Sequence, residues 1–290
     1  MTHQDNEQLQ QLFDHLDLET IDSNLYRTRH RNEGWKQVYG GQVLAQALLC
    51  SSYTVAEEFQ PHSLHAYFLR PGNMKAPIIY SVDRSRDGRS FTTRRVLASQ
   101  RGEVIFIMSA SFHKTEPGLS HQIEMPEVPP PSECLTRQQV AERFRDDLPA
   151  EMLQRLSRPF AIDLRPIAPD NMLTPRKGQP RRSFWMKLDA TLPEDYALHS
   201  HMLAYASDMT LLETSLIPHG LSMFNPQLQM ASLDHSMWFH RPFRMDEWLL
   251  YVQDSPASAG ARGFSRGSFF TQAGELVASV AQEGLIRLHD

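Results

Sequence analysis

The chain has only two cysteines, Cys50 and Cys134, among 290 residues. They allow one bridge at most, so this is no disulfide scaffold and a reducing compartment is expected. It has no basic surplus: 29 Lys and Arg stand against 34 Asp and Glu, for a formal net charge of −5. That balance argues against a dedicated polyanion binder, and no nucleic-acid partner is expected, although a local basic pocket for one phosphorylated ligand stays open. No apolar run approaches the ~20 residues that a bilayer span requires, so no membrane span is expected. The opening Met1 to Leu16 lacks the cationic flank, apolar stretch and small-residue cleavage site of a secretory signal. The final Arg287-Leu288-His289-Asp290 is not a peroxisomal address. These absences point to a soluble, cytoplasmic protein.

What is present is ordinary for a globular chain, with 41% apolar and 22% charged residues. The length suits about two domains at roughly 150 residues each, enough to bury a large core without metal or disulfide staples. Leu9, Leu12, Phe13 and Leu16 share a helical face, so a short amphipathic helix opens the chain. Tyr39-Gly40-Gly41-Gln42 then runs into an apolar helix whose Val43, Leu44, Ala47 and Leu48 lie on one side. Alternating strands follow around 64–69 and 78–82, and Phe91 to Ser99 and Val104 to Phe112 read as two more. Pro117, Pro126, Pro129, Pro130 and Pro131 make residues 114–132 a connection, since proline cannot serve an interior strand.

A helix is expected around 137–156, one or two strands within 159–189, and a second core helix over about 195–213. Four strand runs close the chain, at Gln229 to Phe239, Glu247 to Gln253, Ala261 to Thr271 and Glu275 to Gln282. The two halves repeat one order of elements. Phe68-Leu69-Arg70-Pro71 answers to Phe239-His240-Arg241-Pro242 (242 − 71 = 171), and Gln100-Arg101-Gly102-Glu103 to Gln272-Ala273-Gly274-Glu275 (274 − 102 = 172). The expected division is an N-terminal unit at 1–113, a proline-rich connection with a helix at 114–158, and a C-terminal unit at 159–290. An apolar helix before an antiparallel meander packs economically when the sheet curls around it. Two such units joined edge to edge cover two aggregation-prone edges. The expected fold class is α+β, a double hot-dog.

The motifs carry a family resemblance. Val38-Tyr39-Gly40-Gly41-Gln42, His65-Ala66-Tyr67-Phe68-Leu69-Arg70-Pro71-Gly72, Arg86-Asp87-Gly88-Arg89-Ser90-Phe91, Tyr205-Ala206-Ser207-Asp208, Leu233-Asp234-His235-Ser236-Met237-Trp238-Phe239-His240-Arg241-Pro242 and Val280-Ala281-Gln282-Glu283-Gly284 resemble the acyl-CoA thioesterase II family. The likeness runs from about residue 5 to the C-terminus. It implies hydrolysis of fatty acyl-CoA thioesters to free acid and CoA, with no metal or organic cofactor. It also implies an aspartate, a hydroxyl residue and a glutamine around the attacking water. These fall on Asp208, Ser232 and Gln282. The family pattern has threonine where this chain has Ser232, so the hydroxyl persists without the methyl that restricts χ1.

The chemistry suits those residues. A thiol's pKa of roughly 8.5 makes it a good leaving group, so the demand falls on an oriented water and a stabilised oxyanion. Backbone N–H groups at a helix start would serve the oxyanion. Each residue also has a plainer reading: Asp208 as a cap of the turn into Met209 to Leu212, Ser232 as an ordinary strand hydroxyl, Gln282 as a half-exposed strand amide. Only the three together rise above it.

Competing signals are weaker. Gly263-Phe264-Ser265-Arg266-Gly267 fits G-x-S-x-G but falls inside a strand, with only His289 downstream. Its glycines are expected to permit bending or close approach of a neighbour. His62, His65, His199, His201 and Asp234-His235 lack zinc spacing. Arg94-Arg95 and Arg181-Arg182 read as solvated strand ends, one of which could meet CoA phosphates. The rivals are a hot-dog enoyl-thioester hydratase or dehydratase, drawing on the histidines at 235–240, and a non-catalytic acyl-CoA-binding protein. An outer sheet edge or face left open would suit a homo-oligomer. A second site in the first unit is doubtful, because Gln282 answers to Ala110 in the repeat (282 − 172 = 110).

Overall fold

The computed structural model describes residues 3–29, 37–158 and 160–289. The leucine stripe of the first segment forms α1 (His3–Leu16), burying Leu12 and Leu16. A hairpin that the sequence reading missed follows, β1 (Leu18–Asp22) and β2 (Leu25–Thr28), turning through Asn24 at φ 62°. Next comes α2 (Gly40–Ser52), buried from Gly41 to Leu48. A helix apolar around most of its circumference belongs inside a core, and Leu44, Ala45, Ala47 and Leu48 have no exposed surface. The meander β3 (Phe59–Phe68), β4 (Ile79–Asp87), β5 (Phe91–Gln100) and β6 (Glu103–Lys114) wraps it.

The proline-rich stretch runs over the outside of the second half, without strand or helix over 115–130 and with a single 3-10 turn at Pro131–Glu133. Its Met125, Val128 and Cys134 pack with Trp185, Leu250 and Phe270, and Trp185 Nε1 donates to Pro129 O at 2.8 Å. The helix expected at 137–156 is two short ones, α3 (Arg137–Arg143), opened by a Thr136–Gln139 capping box, and α4 (Ala150–Leu156). Leu148-Pro149 divides them, because the residue before proline is pushed out of helical geometry.

Then come β7 (Ile162–Pro166), β8 (Arg181–Leu188) and α5 (Tyr196–Ser207). The core helix expected to reach 213 stops at Ser207. Thr210 adopts φ 67° and the chain resumes as a 3-10 helix, Leu212–His219. The last strands are β9 (Leu228–Ser232), β10 (Asp234–Phe239), β11 (Leu249–Ala259), β12 (Arg262–Thr271) and β13 (Leu276–Leu288). The single strand expected over 229–239 breaks at Leu233, because β9 pairs with the end of β13 whereas β10 lies between β13 and β3.

The strands form one antiparallel sheet in the order β1-β2-β4-β5-β6-β3-β10-β13-β12-β11-β8-β7, with β9 added on β13. Reading outward from the β3–β10 seam, each half repeats the other. The seam runs from Asp234↔Tyr67 to Trp238↔Ser63. Inside, α2 and α5 lie antiparallel: Gly41 abuts Tyr205 and Ser52 Oγ meets His201 Nε2 at 2.9 Å. This is the expected double hot-dog, with one core shared by both helices. Full burial of each leucine such as Leu44 or Leu48 is worth about 1.5–3 kcal/mol.

Two arginines depart from the sequence reading. Arg94 is no solvated strand end: it is 1% exposed and buried beneath β5. Its guanidinium donates to Thr54 Oγ1, Thr54 O, Arg86 O and Thr93 O and pairs with Asp87 at 2.5 Å. Arg182 is partly buried and pairs with Glu213 at 3.1 Å. Arg95 and Arg181 are exposed. Among the described residues no helix is long and apolar enough to cross a membrane.

Candidate active site

The end of α5 leaves backbone carbonyls without helical partners, and two tyrosines, the partly buried Tyr39 and the fully buried Tyr251, meet them. Tyr39 Oη donates to Tyr205 O at 2.9 Å and Tyr251 Oη to Ser207 O at 2.7 Å. Asp208 follows directly, in helical geometry at φ −79°, ψ −10°. Its side chain does not cap its own turn. It crosses to the other half of the chain, where Oδ2 accepts the Gly41 N–H at 2.9 Å. That N–H belongs to the first turn of α2, where donors are free and the helix dipole favours a negative charge.

The other carboxylate oxygen faces the sheet. Gln282 lies in the middle of β13, fully buried, and its Nε2 donates to Asp208 Oδ1 at 2.7 Å and to Ser232 Oγ at 2.9 Å. Ser232 closes β9 opposite Gly284, so it stands diagonally from Gln282 on one face. Its hydroxyl reaches Asp208 Oδ1 at 3.5 Å, a long contact. The three residues singled out in the sequence are thus brought together, and Gly41 completes their surroundings. Burial pushes the Asp208 carboxyl up to about 6, and the bonds from Gln282, Gly41 and Ser232 hold it from rising further.

Three donors escaped the sequence reading: the Gly41 N–H and the hydroxyls of Tyr39 and Tyr251. The glycine pair was a signal for the first. A Cβ on Gly41 would lie 2.3 Å from Tyr205 O, and one on Gly40 would lie 2.8 Å from Asp208 Oδ2. The Tyr39 and Tyr251 hydroxyls carry no local signal, because their acceptors are backbone atoms remote in sequence.

The competing residues lie elsewhere. Ser265 is buried inside β12, and Gly263 and Gly267 admit Ser215 and Tyr251, whose atoms would meet a Cβ at 2.4 and 2.3 Å. His235 is fully buried, bonds Ser207 Oγ at 2.9 Å through Nε2, and is pushed down to about 3 by burial. His240 meets Ser279, His62 meets Ser111, His65 meets Ser236, and His199 Nδ1 accepts Met245 N–H. Among the described residues no group of three His, Cys, Asp or Glu could hold a metal ion. At the repeat-equivalent position Ala110 pairs across the sheet with Arg94.

Comparison with known proteins is consistent along the chain. The family described as acyl-CoA thioesterase matches residues 149–285, and the family described as acyl-CoA thioesterase N-terminal domain matches residues 31–113. The human protein acyl-coenzyme A thioesterase 8 is 38% identical over 281 residues, covering 94% of this chain and 88% of that one. The crystal structure of an acyl-CoA thioesterase II, TesB2, from Mycobacterium marinum is 42% identical. It covers 96% of this chain and 98% of its own at a TM-score of 0.78. A hot-dog protein from Alicyclobacillus acidocaldarius, of unknown function by its description, shares the fold at 20% identity, covering all of both chains at a TM-score of 0.76.

Proposed function

The chain belongs to the acyl-CoA thioesterase family, and from that premise we propose that it hydrolyses fatty acyl-CoA to free fatty acid and CoA with water activated by Asp208. That the protein is an acyl-CoA thioesterase follows from the membership; the mechanism is the reading added here. The observation that carries it is the convergence of Gly41 N–H, Gln282 Nε2 and Ser232 Oγ on one carboxylate.

An ionised carboxylate offers about four lone-pair sites. Protein donors occupy three of these on Asp208, which leaves one for a water proton. A carboxyl held at about 6 is ionised at neutral pH yet basic enough to accept that proton. In this reading Asp208 is the general base, while Ser232 and Gln282 fix its orientation and that of the water. The attacked carbonyl places its developing negative charge against the N-terminal turn of α2. The thiolate then leaves with little need of protonation, given a thiol pKa of roughly 8.5. The site draws its three side chains from 159–290 and its backbone donor from 1–113, the division proposed for the two units, with 114–158 as their connection. We assign one site per chain, since Arg94 and Ala110 offer no carboxylate–amide pair.

The proposed setting is cytoplasmic, supported by two free buried cysteines. A homo-oligomer is proposed on the ground that β1 and β7 leave outer edges on the sheet. An acidic net charge supports a small-molecule substrate rather than nucleic acid.

The test is thiol release from acyl-CoAs from butyryl to stearoyl, trapped with a chromogenic disulfide, with Asp208→Asn alongside. Release by the parent and not the variant is expected. Equal release by both would remove Asp208 from the chemistry. A hydroxyacyl-CoA product without free thiol would replace hydrolysis by hydration, and bound substrate without either product would leave a binding protein.

A further inference from the structure

Thr210 is a β-branched residue at φ 67°, two positions after Asp208. Such a residue rarely adopts the left-handed region, and strain of this kind persists only where the surroundings over-determine it. Here they do. Gln253, 1% exposed on the inner face of β11, donates from Nε2 to Thr210 Oγ1 at 2.8 Å. Its Oε1 accepts from Thr214 Oγ1 at 2.9 Å and from Arg182 Nε at 3.2 Å. Arg182, directly opposite Gln253 on β8, donates through Nη2 to Thr210 O and pairs with Glu213 at 3.1 Å. Every hydrogen-bonding atom of the Gln253 amide is therefore engaged toward one turn or its holder.

The placement gives this cluster its meaning. Tyr251 and Gln253 lie two apart on β11 and so share a face. Tyr251 holds Ser207 O and Gln253 holds Thr210 Oγ1. The segment bearing Asp208 hangs from one strand by both ends, with Asp208 between the two attachments.

We propose that Gln253 and Arg182 are positioning residues that hold Thr210 left-handed and thereby aim the Asp208 carboxylate at the substrate water. This rests on Asp208 being the base. The cluster touches no reacting atom: it acts on the backbone path from Ser207 to Leu211. A glycine at 210 takes that path without strain, so it removes the need for the clamp.

The experiment is a cycle of Gln253→Leu with and without Thr210→Gly, reading kcat and KM for acyl-CoA hydrolysis on folded protein. In the parent chain Gln253→Leu is expected to lower kcat tenfold or more at unchanged KM. With Thr210→Gly already present, the same substitution is expected to lower kcat less than threefold. A general loss of packing would show the same fall in both backgrounds and would overturn the proposal, as would a parent-like kcat in Gln253→Leu. Should Gln253→Leu fail to fold, Arg182→Lys keeps the charge but loses the planar fork and enters the same cycle under the same criteria. Asp208→Asn is run in parallel. If it stays active, the base assignment itself fails; if it is dead while Gln253→Leu is normal, only the clamp fails.

Discussion

The Asp208 carboxylate and the Gly41 N–H meet at 2.9 Å across 167 residues of chain, so the end of one core helix is tied to the start of the other. The two glycines at that junction separate stability from activity. On Gly41 a Cβ would strike a backbone carbonyl, Tyr205 O, at 2.3 Å; on Gly40 it would strike the movable Asp208 Oδ2 at 2.8 Å. Gly41→Ala is therefore expected to destabilise the fold by about 1–3 kcal/mol, the usual cost of overpacking. Gly40→Ala is expected to keep most of the stability and lose kcat, because the carboxylate is what moves. Thermal melts beside steady-state kinetics check this, and equal melting losses would refute it.

The pH dependence of hydrolysis has a definite direction. A general base must be ionised, so activity is present above its pKa and lost below. With Asp208 raised to about 6 by burial, kcat/KM is expected to fall by half near pH 6 and tenfold for each further unit of acid. A flat profile down to pH 5 would exclude Asp208 as the base.

Ser232 and Gln282 are unequal partners of the proposed base. Gln282→Ala removes the 2.7 Å bond to Asp208 Oδ1 and the donor to Ser232 together. It is expected to cost about a hundredfold in kcat and to move the acid limb to higher pH, since a hydrogen bond that favours the ionised form is lost. Ser232→Ala removes a contact of 3.5 Å, and about tenfold is expected. Ser232→Thr should retain most activity, because the hydroxyl stays and χ1 is better restricted. Ser232→Ala as damaging as Gln282→Ala would reverse the ranking.

The sheet and the core helices were legible because alternation and the glycine-led apolar run reflect local burial. The hairpin at 18–28, the break at Leu233 and the stop after Ser207 were not, because each depends on pairing with residues far along the chain: β2 with β4, β9 with β13, Thr210 with Gln253. Arg94 misled for a related reason. A pair of arginines beside a turn reads as solvent-facing, yet alternation turns the first inward and the second outward. For the site, the family motifs supplied Asp208, Ser232 and Gln282 as positions, whereas the donor from Gly41 is a backbone atom and leaves no side-chain signature.

Arg94 yields a prediction about stability rather than catalysis. Its guanidinium satisfies the carbonyls of Thr54, Arg86 and Thr93 under β5. Arg94→Met leaves those acceptors unpaired, whereas Asp87, 63% exposed, returns to water. A loss of about 1–3 kcal/mol is expected in urea unfolding, the cost of leaving buried acceptors without a donor. The acid limb of hydrolysis should not move. A variant as stable as the parent would mean that the carbonyls find other donors.

Two histidines set the acid limit of the fold. His235 and His201 are 0% and 3% exposed, and burial pushes them down to about 3 and about 4. Unfolded, each titrates near 6.5. Below that pH the unfolded chain binds protons that the folded chain refuses, so stability falls as pH drops. From pH 7 to 5.5 each histidine is expected to cost about 1 kcal/mol. Asp208 works the other way. Its folded pKa of about 6 lies above the unfolded value near 3.9, so the folded state binds its proton more tightly and gains stability as pH falls through 6. One carboxyl that is only part-way through its titration does not offset two histidines, and a net loss is expected. Urea midpoints at pH 7 and 5.5 measure it. His201→Gln keeps a partner for Ser52 and cannot charge, so its midpoint should change less between the two pH values. If the parent's midpoint does not fall on acidification, burial is not keeping these imidazoles neutral.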